Sequence, residues 1–127
     1  MKTLFLAVLI FIASCSAGDT KKEITLSSGR TIVVSFEKQI HEGRDPVLFV
    51  DYVNEEKVIK TKTVEDETLE IWNALKEEVE ITGVQEALVK YSYFTGRIKD
   101  SGEKEYGSIL FDAEKTESGN WKLRKVN

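Results

Sequence analysis

The sequence predicts an α+β domain in which an antiparallel sheet of about six strands packs against one amphipathic helix. Two observations predict it. Apolar residues alternate with polar ones in several short segments, and one segment, Val64–Glu80, changes to the 3.6-residue period of a helix. The predicted order is β-β-β-(β)-α-β-β-β. With 127 residues, 41% of them apolar, the chain suffices for one domain with a core of its own.

The chain after residue 22 is predicted to start with a hairpin. Glu23–Leu26 alternates with Ile24 and Leu26 on one face, and Thr31–Phe36 alternates in the same way. The intervening Ser27-Ser28-Gly29 contains the glycine that a tight turn favours.

The third predicted strand is Val47–Val53, which follows a charged loop ending at Pro46. It is apolar on both faces apart from Asp51, a pattern that predicts a central, covered strand. The charged residues 55–57 are expected to break this strand. Val58–Lys60 fits either a short edge strand or a loop.

The helix is predicted from one apolar stripe about 100° wide. Its members are Val64, Thr68, Ile71, Trp72, Leu75 and Val79. Thr63 is expected to cap the start of the helix, and Gly83 is expected to end it. Acidic residues 65–67 would then lie at the positive end of the helix dipole.

A period of two returns after the helix and predicts a three-strand antiparallel meander. Its first strand aligns Ala87, Val89, Tyr91 and Tyr93 on one face, and strands at Tyr106–Ala113 and Trp121–Val126 follow, separated by glycine-containing turns. The end of this meander, Asn120-Trp121-Lys122-Leu123, is similar to the tails of nuclear-transport-factor-2-like and cystatin-like folds. Val47–Leu88 resembles small exported bacterial proteins, which implies no particular chemistry.

The first residues of the chain predict export. Lys2 precedes nine consecutive apolar residues, Leu4–Ile12, and the chain becomes polar from Asp19. This layout is typical of a secretory signal peptide and is too short for a membrane-spanning helix.

The end of the apolar run, Ile12-Ala13-Ser14-Cys15, resembles the lipobox of bacterial lipoproteins. The resemblance implies cleavage between Ser14 and Cys15 and acyl chains, such as palmitate, on the new N-terminal Cys15. Residues 1–14 would be the signal peptide, residues 15–22 a lipidated tether, and residues 23–127 the folded domain.

The resemblance also implies a location and one alternative. The protein would be anchored to a membrane of the cell envelope, the outer one in a two-membrane cell, with its domain in the periplasm or at the cell surface. In the alternative, an ordinary secretory cut after Ala17 would release a soluble protein.

Composition excludes several classes of function. With 18 basic and 22 acidic side chains the chain carries a formal charge of −4, which argues against nucleic-acid binding. A single cysteine excludes an internal disulfide and any multi-cysteine metal site. No metal site, cofactor or catalytic motif is predicted, which leaves enzymatic activity undecided but disfavoured.

Three groups of residues are candidates for binding. Asp51 is a carboxylate among apolar neighbours on its strand, an arrangement that raises a pKa unless the group is hydrogen-bonded and that recurs at functional sites. Alternatively, Asp51 lies near the strand end and reaches water or backbone amides. Tyr91 and Tyr93 would line a small-molecule pocket if the sheet curves around them, and would otherwise pack under the helix. The helix surface bearing Asp66, Glu70 and Glu77 would suit a cationic protein partner, or is simply solvated. His41, the only imidazole, is expected in a solvated loop.

These observations favour a non-enzymatic binding module on a membrane anchor. One alternative is a protective inhibitor, or immunity-type protein, that neutralises a cationic toxin or lytic enzyme through the acidic helix surface. Another is a small-ligand carrier or an enzyme that uses the concave face of the sheet together with Asp51.

Overall fold

The computed structural model describes residues 19–57 and 60–126. Six strands and one helix form an α+β domain. In chain order they are β1 (Asp19–Thr25), β2 (Thr31–Gln39), β3 (Val47–Lys57), α1 (Thr61–Thr82), β4 (Glu86–Ile98), β5 (Lys104–Lys115) and β6 (Trp121–Val126).

The six strands form one mixed sheet in the order β1-β2-β3-β4-β5-β6. Each strand is antiparallel to its neighbour except at the centre, where β3 and β4 are parallel. The predicted wholly antiparallel sheet is therefore wrong at this pair. The 22 residues of α1 extend for about 33 Å, which is long enough to carry the chain back along the sheet. As a result β4 starts at the same end of the sheet as β3.

Helix α1 buries its predicted stripe against one face of the sheet. All six stripe residues are buried and form a core with the inward residues of the strands, among them Val34, Val50, Val89 and Tyr91. Trp72 also meets Trp121 of β6 edge to face, with ring centroids 5.2 Å apart. The predicted helical face is thus confirmed.

The two ends of the helix differ in how well the sequence predicts them. Gly83 ends α1 as predicted, in the left-handed conformation at φ 77°, with its N–H donating to the Glu80 carbonyl. Thr63 was predicted to cap the start, and this is wrong. The helix begins at Thr61 after an extended Lys60, and Thr63 N–H closes the first turn on the Lys60 carbonyl at 3.1 Å. Its first turn therefore contains no acidic residue.

Several strands extend beyond their predicted ends, because backbone pairing continues into polar sequence. The first starts at Asp19 rather than Glu23, and its pairing with β2 begins at Asp19 opposite Glu37. The third continues through the residues expected to break it, with Lys57 opposite Phe94 after an irregularity. Most of the undecided segment, Val58 and Ile59, lies outside the described residues.

The opposite face of the sheet has no covering element among residues 19–57 and 60–126. The third strand is central, as predicted, but only its Leu48, Val50, Tyr52 and Asn54 side is covered by the helix. Both edge strands carry several charged residues, in KKE of β1 and KLRK of β6. Such charges discourage pairing with another chain along an edge. The uncovered face, rather than an edge, is therefore the surface to consider for binding.

Candidate functional site

The uncovered face of the sheet, which we call the open face, carries several apolar side chains. Val33 of β2 and Val53 of β3 are 54% and 43% exposed, respectively, and the register that sets Ser35 opposite Asp51 places them side by side. Phe49, Leu88 and Leu110, from three adjacent strands, are half-buried on the same face, with Phe49 opposite Leu88 and Leu110 opposite Lys90. A strand alternates its side chains between two faces, so these residues are the outward members of strands whose inward members form the core.

Polar and charged residues lie between and around these apolar side chains. The pairing register aligns Ser35, Asp51 and Lys90 in one row across three strands, and Asp51 is exposed. This row separates Val33 and Val53 from Phe49 and Leu88. Glu37 and Lys21 lie on the β1–β2 side of the same face. A mixture of apolar and polar side chains is usual at non-obligate protein–protein interfaces.

Three carboxylates gather at one end of the open face, and we call them the carboxylate cluster. Glu86, the first residue of β4, lies opposite Glu114 of β5, and Asp112 lies two residues before Glu114 on the same face. One oxygen from each of the three lies within 4.8 Å of the others. Register and alternation therefore bring together residues far apart in the sequence.

Asp112 is the most buried member of the carboxylate cluster. Its side chain is only 7% exposed, and its Oδ2 accepts a hydrogen bond of 3.1 Å from Arg124 of β6. Its Oδ1 is buried without any hydrogen-bond partner, the single such side-chain atom in the part of the chain that the structure describes. A buried oxygen that lacks a hydrogen-bond partner lowers the stability of the fold, so such atoms are rare in native structures and have a physical reason.

Asp112 shifts the pKa of the neighbouring Glu86. A hydrogen bond to Asp112, together with burial and the negative charge of Asp112, raises the pKa of Glu86 to about 7. Two carboxylates can share such a bond only while one of them is protonated. When both are ionised, Asp112 Oδ1 has no donor.

The carboxylate cluster opens to solvent through a recess of about 290 Å³. Glu86 and Glu114 line it together with Asp45 from the β2–β3 loop and Lys115. Only oxygen donors converge in the cluster, and these are the ligands that hard divalent cations prefer.

A second buried carboxylate lies on the other face, between helix and sheet. Glu67 of α1 accepts hydrogen bonds of 2.6 Å from Arg30 Nη2 and 2.6 Å from the Tyr91 hydroxyl. Asn54 donates to the same hydroxyl oxygen at 2.9 Å. Burial, followed by the bond to Glu67, raises the pKa of Tyr91 to about 12. This Glu67 network joins the helix to β3 and β4 and leaves none of its buried side-chain atoms without a hydrogen-bond partner.

The remaining acidic residues of α1 mostly hold the helix to the sheet. Glu65 pairs with Lys125 of β6 at 2.7 Å, and Glu78 pairs with Lys22 of β1. Glu80 pairs with Lys115 at 2.7 Å and also accepts the Trp121 indole N–H at 2.6 Å. These contacts tie one helix to both edges of the sheet.

Comparisons with known proteins identify no relative. No family model, curated protein or solved structure matches this chain. Among the described residues, no helix is long and apolar enough to cross a membrane.

The structure separates the predicted site residues. Asp51 is exposed on the open face, whereas Tyr91 is buried and Tyr93 half-buried on the helix-covered face, so the aspartate and the tyrosines do not meet. The tyrosines lie under the helix, the alternative that competed with a pocket. His41 is exposed in the β2–β3 loop.

The predicted helix residues also have different environments. Asp66 and Glu77 are exposed, and Asp66 pairs with Lys62 at 3.6 Å. Glu70 instead accepts the backbone N–H of Ser27 at 2.8 Å. Ser14 and Cys15, the predicted cleavage and lipidation site, lie outside the described residues.

Sequence reasoning missed the carboxylate cluster and the Glu67 network. Part of the cluster has a signal: if Phe111 and Ala113 face the core, Asp112 and Glu114 must share the other face. Glu86 joins them only through the register between β4 and β5. Glu67 has a weaker signal, because it precedes the stripe residue Thr68 at the edge of the buried helical face.

Proposed function

We propose that this protein is a cell-envelope lipoprotein, anchored through acyl chains on Cys15, whose domain is a non-enzymatic module that binds another protein. The anchor is supported by the sequence Ile12-Ala13-Ser14-Cys15, with the chain's single cysteine at the position that is lipidated in lipoproteins. Two or more acyl chains would hold the protein in a membrane durably.

The binding role is carried by one observation, the exposure of apolar side chains on the open face. Apolar side chains that a soluble domain leaves exposed together mark interaction surfaces. Val33 and Val53 are such side chains, and Phe49, Leu88 and Leu110 add apolar surface on either side of Asp51 and Lys90. The partner we propose is a folded protein that presents an apolar patch of its own to this face.

The alternative of an inhibitor that acts through the acidic helix has less support. Glu65, Glu78 and Glu80 are already paired with lysines of the sheet, which reduces the charge available to a cationic partner. Exposed acidic residues such as Glu77 remain. The two proposals differ in salt dependence, since binding through helix charges should weaken sharply at high salt and binding through an apolar patch should not.

Site-specific photo-crosslinking in the native host tests the binding role. A photo-reactive residue at Val53, on the open face, is compared with one at Glu77, on the outer surface of the helix. We expect a discrete crosslinked partner from position 53 that persists in high salt and is absent from position 77. A partner captured only from position 77 would support the inhibitor proposal, and no partner from either position would refute both.

The anchor is tested separately by the intact mass of the membrane-extracted protein. We expect an N-terminal Cys15 that carries acyl mass, and a Cys15→Ser variant that lacks the acyl mass. An unmodified N-terminus at Gly18 would instead identify an ordinary secretory cut.

A further inference from the structure

We propose that the carboxylate cluster of Glu86, Asp112 and Glu114 binds a hard divalent cation, with Ca²⁺ as the best fit. This site adjoins the apolar residues of the open face, since Asp112 lies opposite Leu88, but it does not depend on the proposed partner. The two observations that carry it are the convergence of three carboxylates and the unpaired, buried Oδ1 of Asp112 among them.

The spacing of the oxygens suits a cation of the size of Ca²⁺. Bonds from Ca²⁺ to oxygen measure about 2.3–2.6 Å, so two ligands of one ion lie at most about 5.2 Å apart. The three oxygens of the carboxylate cluster lie within 4.8 Å of one another. One ion between them can therefore reach all three with small side-chain adjustments at most, and water from the adjoining recess would complete its coordination.

The unpaired Oδ1 of Asp112 is explained by a bound cation. In a buried position an anionic oxygen is stabilised by a hydrogen bond, an ion pair or a metal ion. Arg124 occupies only Oδ2, which leaves Oδ1 without a protein partner. A divalent ion would satisfy this atom and offset the mutual repulsion of the three carboxylates.

The neighbouring positive charges are compatible with a bound cation. Arg124 is bonded to Oδ2, and its side chain is 67% exposed, so water screens much of its charge. Lys122 lies opposite Glu114 in the register and is also exposed. Lys115, which lines the recess, is paired with Glu80. Three carboxylates against Arg124 and Lys122 leave a local excess of negative charge.

Calorimetric titration of the full-length protein tests the proposal. Protein extracted from membranes in a non-ionic detergent is stripped with EDTA, exchanged into chelator-free buffer with about 150 mM NaCl, and titrated with CaCl₂. We expect saturable binding with a Kd of roughly 0.1–1 mM, the range of extracellular Ca²⁺ modules. We also expect Ca²⁺ to raise the Tm by roughly 5 °C at saturation.

Two variants and a matched control locate the site. Asp112→Asn removes the buried ligand, and Glu114→Gln removes a ligand at an exposed position where folding is not at risk. Each should weaken Ca²⁺ binding at least tenfold and abolish the rise in Tm. Glu77→Gln removes the same charge from the helix surface and should bind Ca²⁺ like the unaltered protein.

Several results would overturn the proposal. One is the absence of saturable binding of Ca²⁺, Mg²⁺ or Mn²⁺ up to about 10 mM, above the range of weak extracellular sites. Another is equal weakening by Glu114→Gln and Glu77→Gln, which would reveal diffuse attraction to an acidic protein. A third is unchanged binding in both cluster variants. In the first and third cases, a proton shared between Glu86 and Asp112 would account for the cluster instead.

Discussion

Glu67 and Asp112 are the two buried carboxylates among the described residues, and they lie on opposite faces of the sheet in different circumstances. Glu67, on the sheet-facing side of the helix, receives two short hydrogen bonds, from Arg30 and Tyr91. Asp112, on the open face, receives one bond from Arg124 and keeps an oxygen without a partner. Burial alone therefore does not distinguish a structural carboxylate from a candidate ligand. The distinction lies in whether a buried carboxylate oxygen is left without a hydrogen-bond partner from the chain.

The largest effect should follow from removing the satisfied carboxylate. Glu67→Ala leaves the Arg30 guanidinium and the Tyr91 hydroxyl without their acceptor, and should lower the free energy of unfolding by about 3 kcal/mol. Urea denaturation measures this change. Glu77→Ala, at an exposed position of the same helix, is the control and should cost less than about 0.5 kcal/mol. Equal losses in the two variants would contradict a structural role for the Glu67 network.

The same network should make the protein sensitive to alkaline pH. The pKa of Tyr91 is about 12 in the folded state, above its ordinary value of 10.0, because of burial and the bond to Glu67. A folded-state pKa that is raised gives stability that is present below pH 10 and is lost as the pH rises towards 12. The loss should reach roughly 2 kcal/mol, measured by urea denaturation at successive pH values. Tyr91→Phe should lack this component, and an identical pH profile would refute it.

Tyr91→Phe also removes a hydrogen bond at neutral pH. The hydroxyl donates to Glu67 and accepts from Asn54, so its loss should cost about 1.5 kcal/mol. Tyr52→Phe is a close control, because the two rings pack edge to face but the Tyr52 hydroxyl has only a long contact of 3.4 Å from Arg30. We expect the control to cost less than half as much. The reverse ranking would mean that the 3.4 Å contact matters more than its length suggests.

The smallest effect should have the opposite sign. Asp112→Asn keeps an oxygen for Arg124, places an amide donor where Oδ1 lies, and removes one of three clustered negative charges. In chelator at neutral pH it should raise the free energy of unfolding by about 1 kcal/mol. Chemical denaturation in EDTA measures it, with Glu77→Gln as the control for a charge lost elsewhere. A clear loss of stability would mean that Asp112 is already satisfied, like Glu67.

Local patterns in the sequence predict some features of this fold and leave others open. The period of α1 predicts its buried face, because side-chain spacing along a helix is local information. Alternation likewise predicts β4, β5 and β6. The parallel pairing of β3 with β4 depends on where the helix returns the chain, and the position of Glu86 beside Asp112 depends on the register between strands. Neither is encoded in a local period, so the wholly antiparallel prediction failed and the carboxylate cluster was missed.

The early start of β1 has a consequence for how far the domain can travel from a bilayer. The strand begins at Asp19, so three residues, 16–18, separate it from Cys15. Four residue steps extend for at most about 14 Å, so acyl chains on Cys15 would keep that end of β1 at the membrane surface. Asp19 lies in the same row of paired residues across the sheet as Asp112, because the pairing runs from Asp19 to Glu37, Phe49, Leu88 and Asp112 in turn. Both residues are therefore at the same end of the sheet. If Cys15 is lipidated, so short a linker would keep the domain from diffusing across an aqueous compartment, and its partners would have to reach the lipid surface.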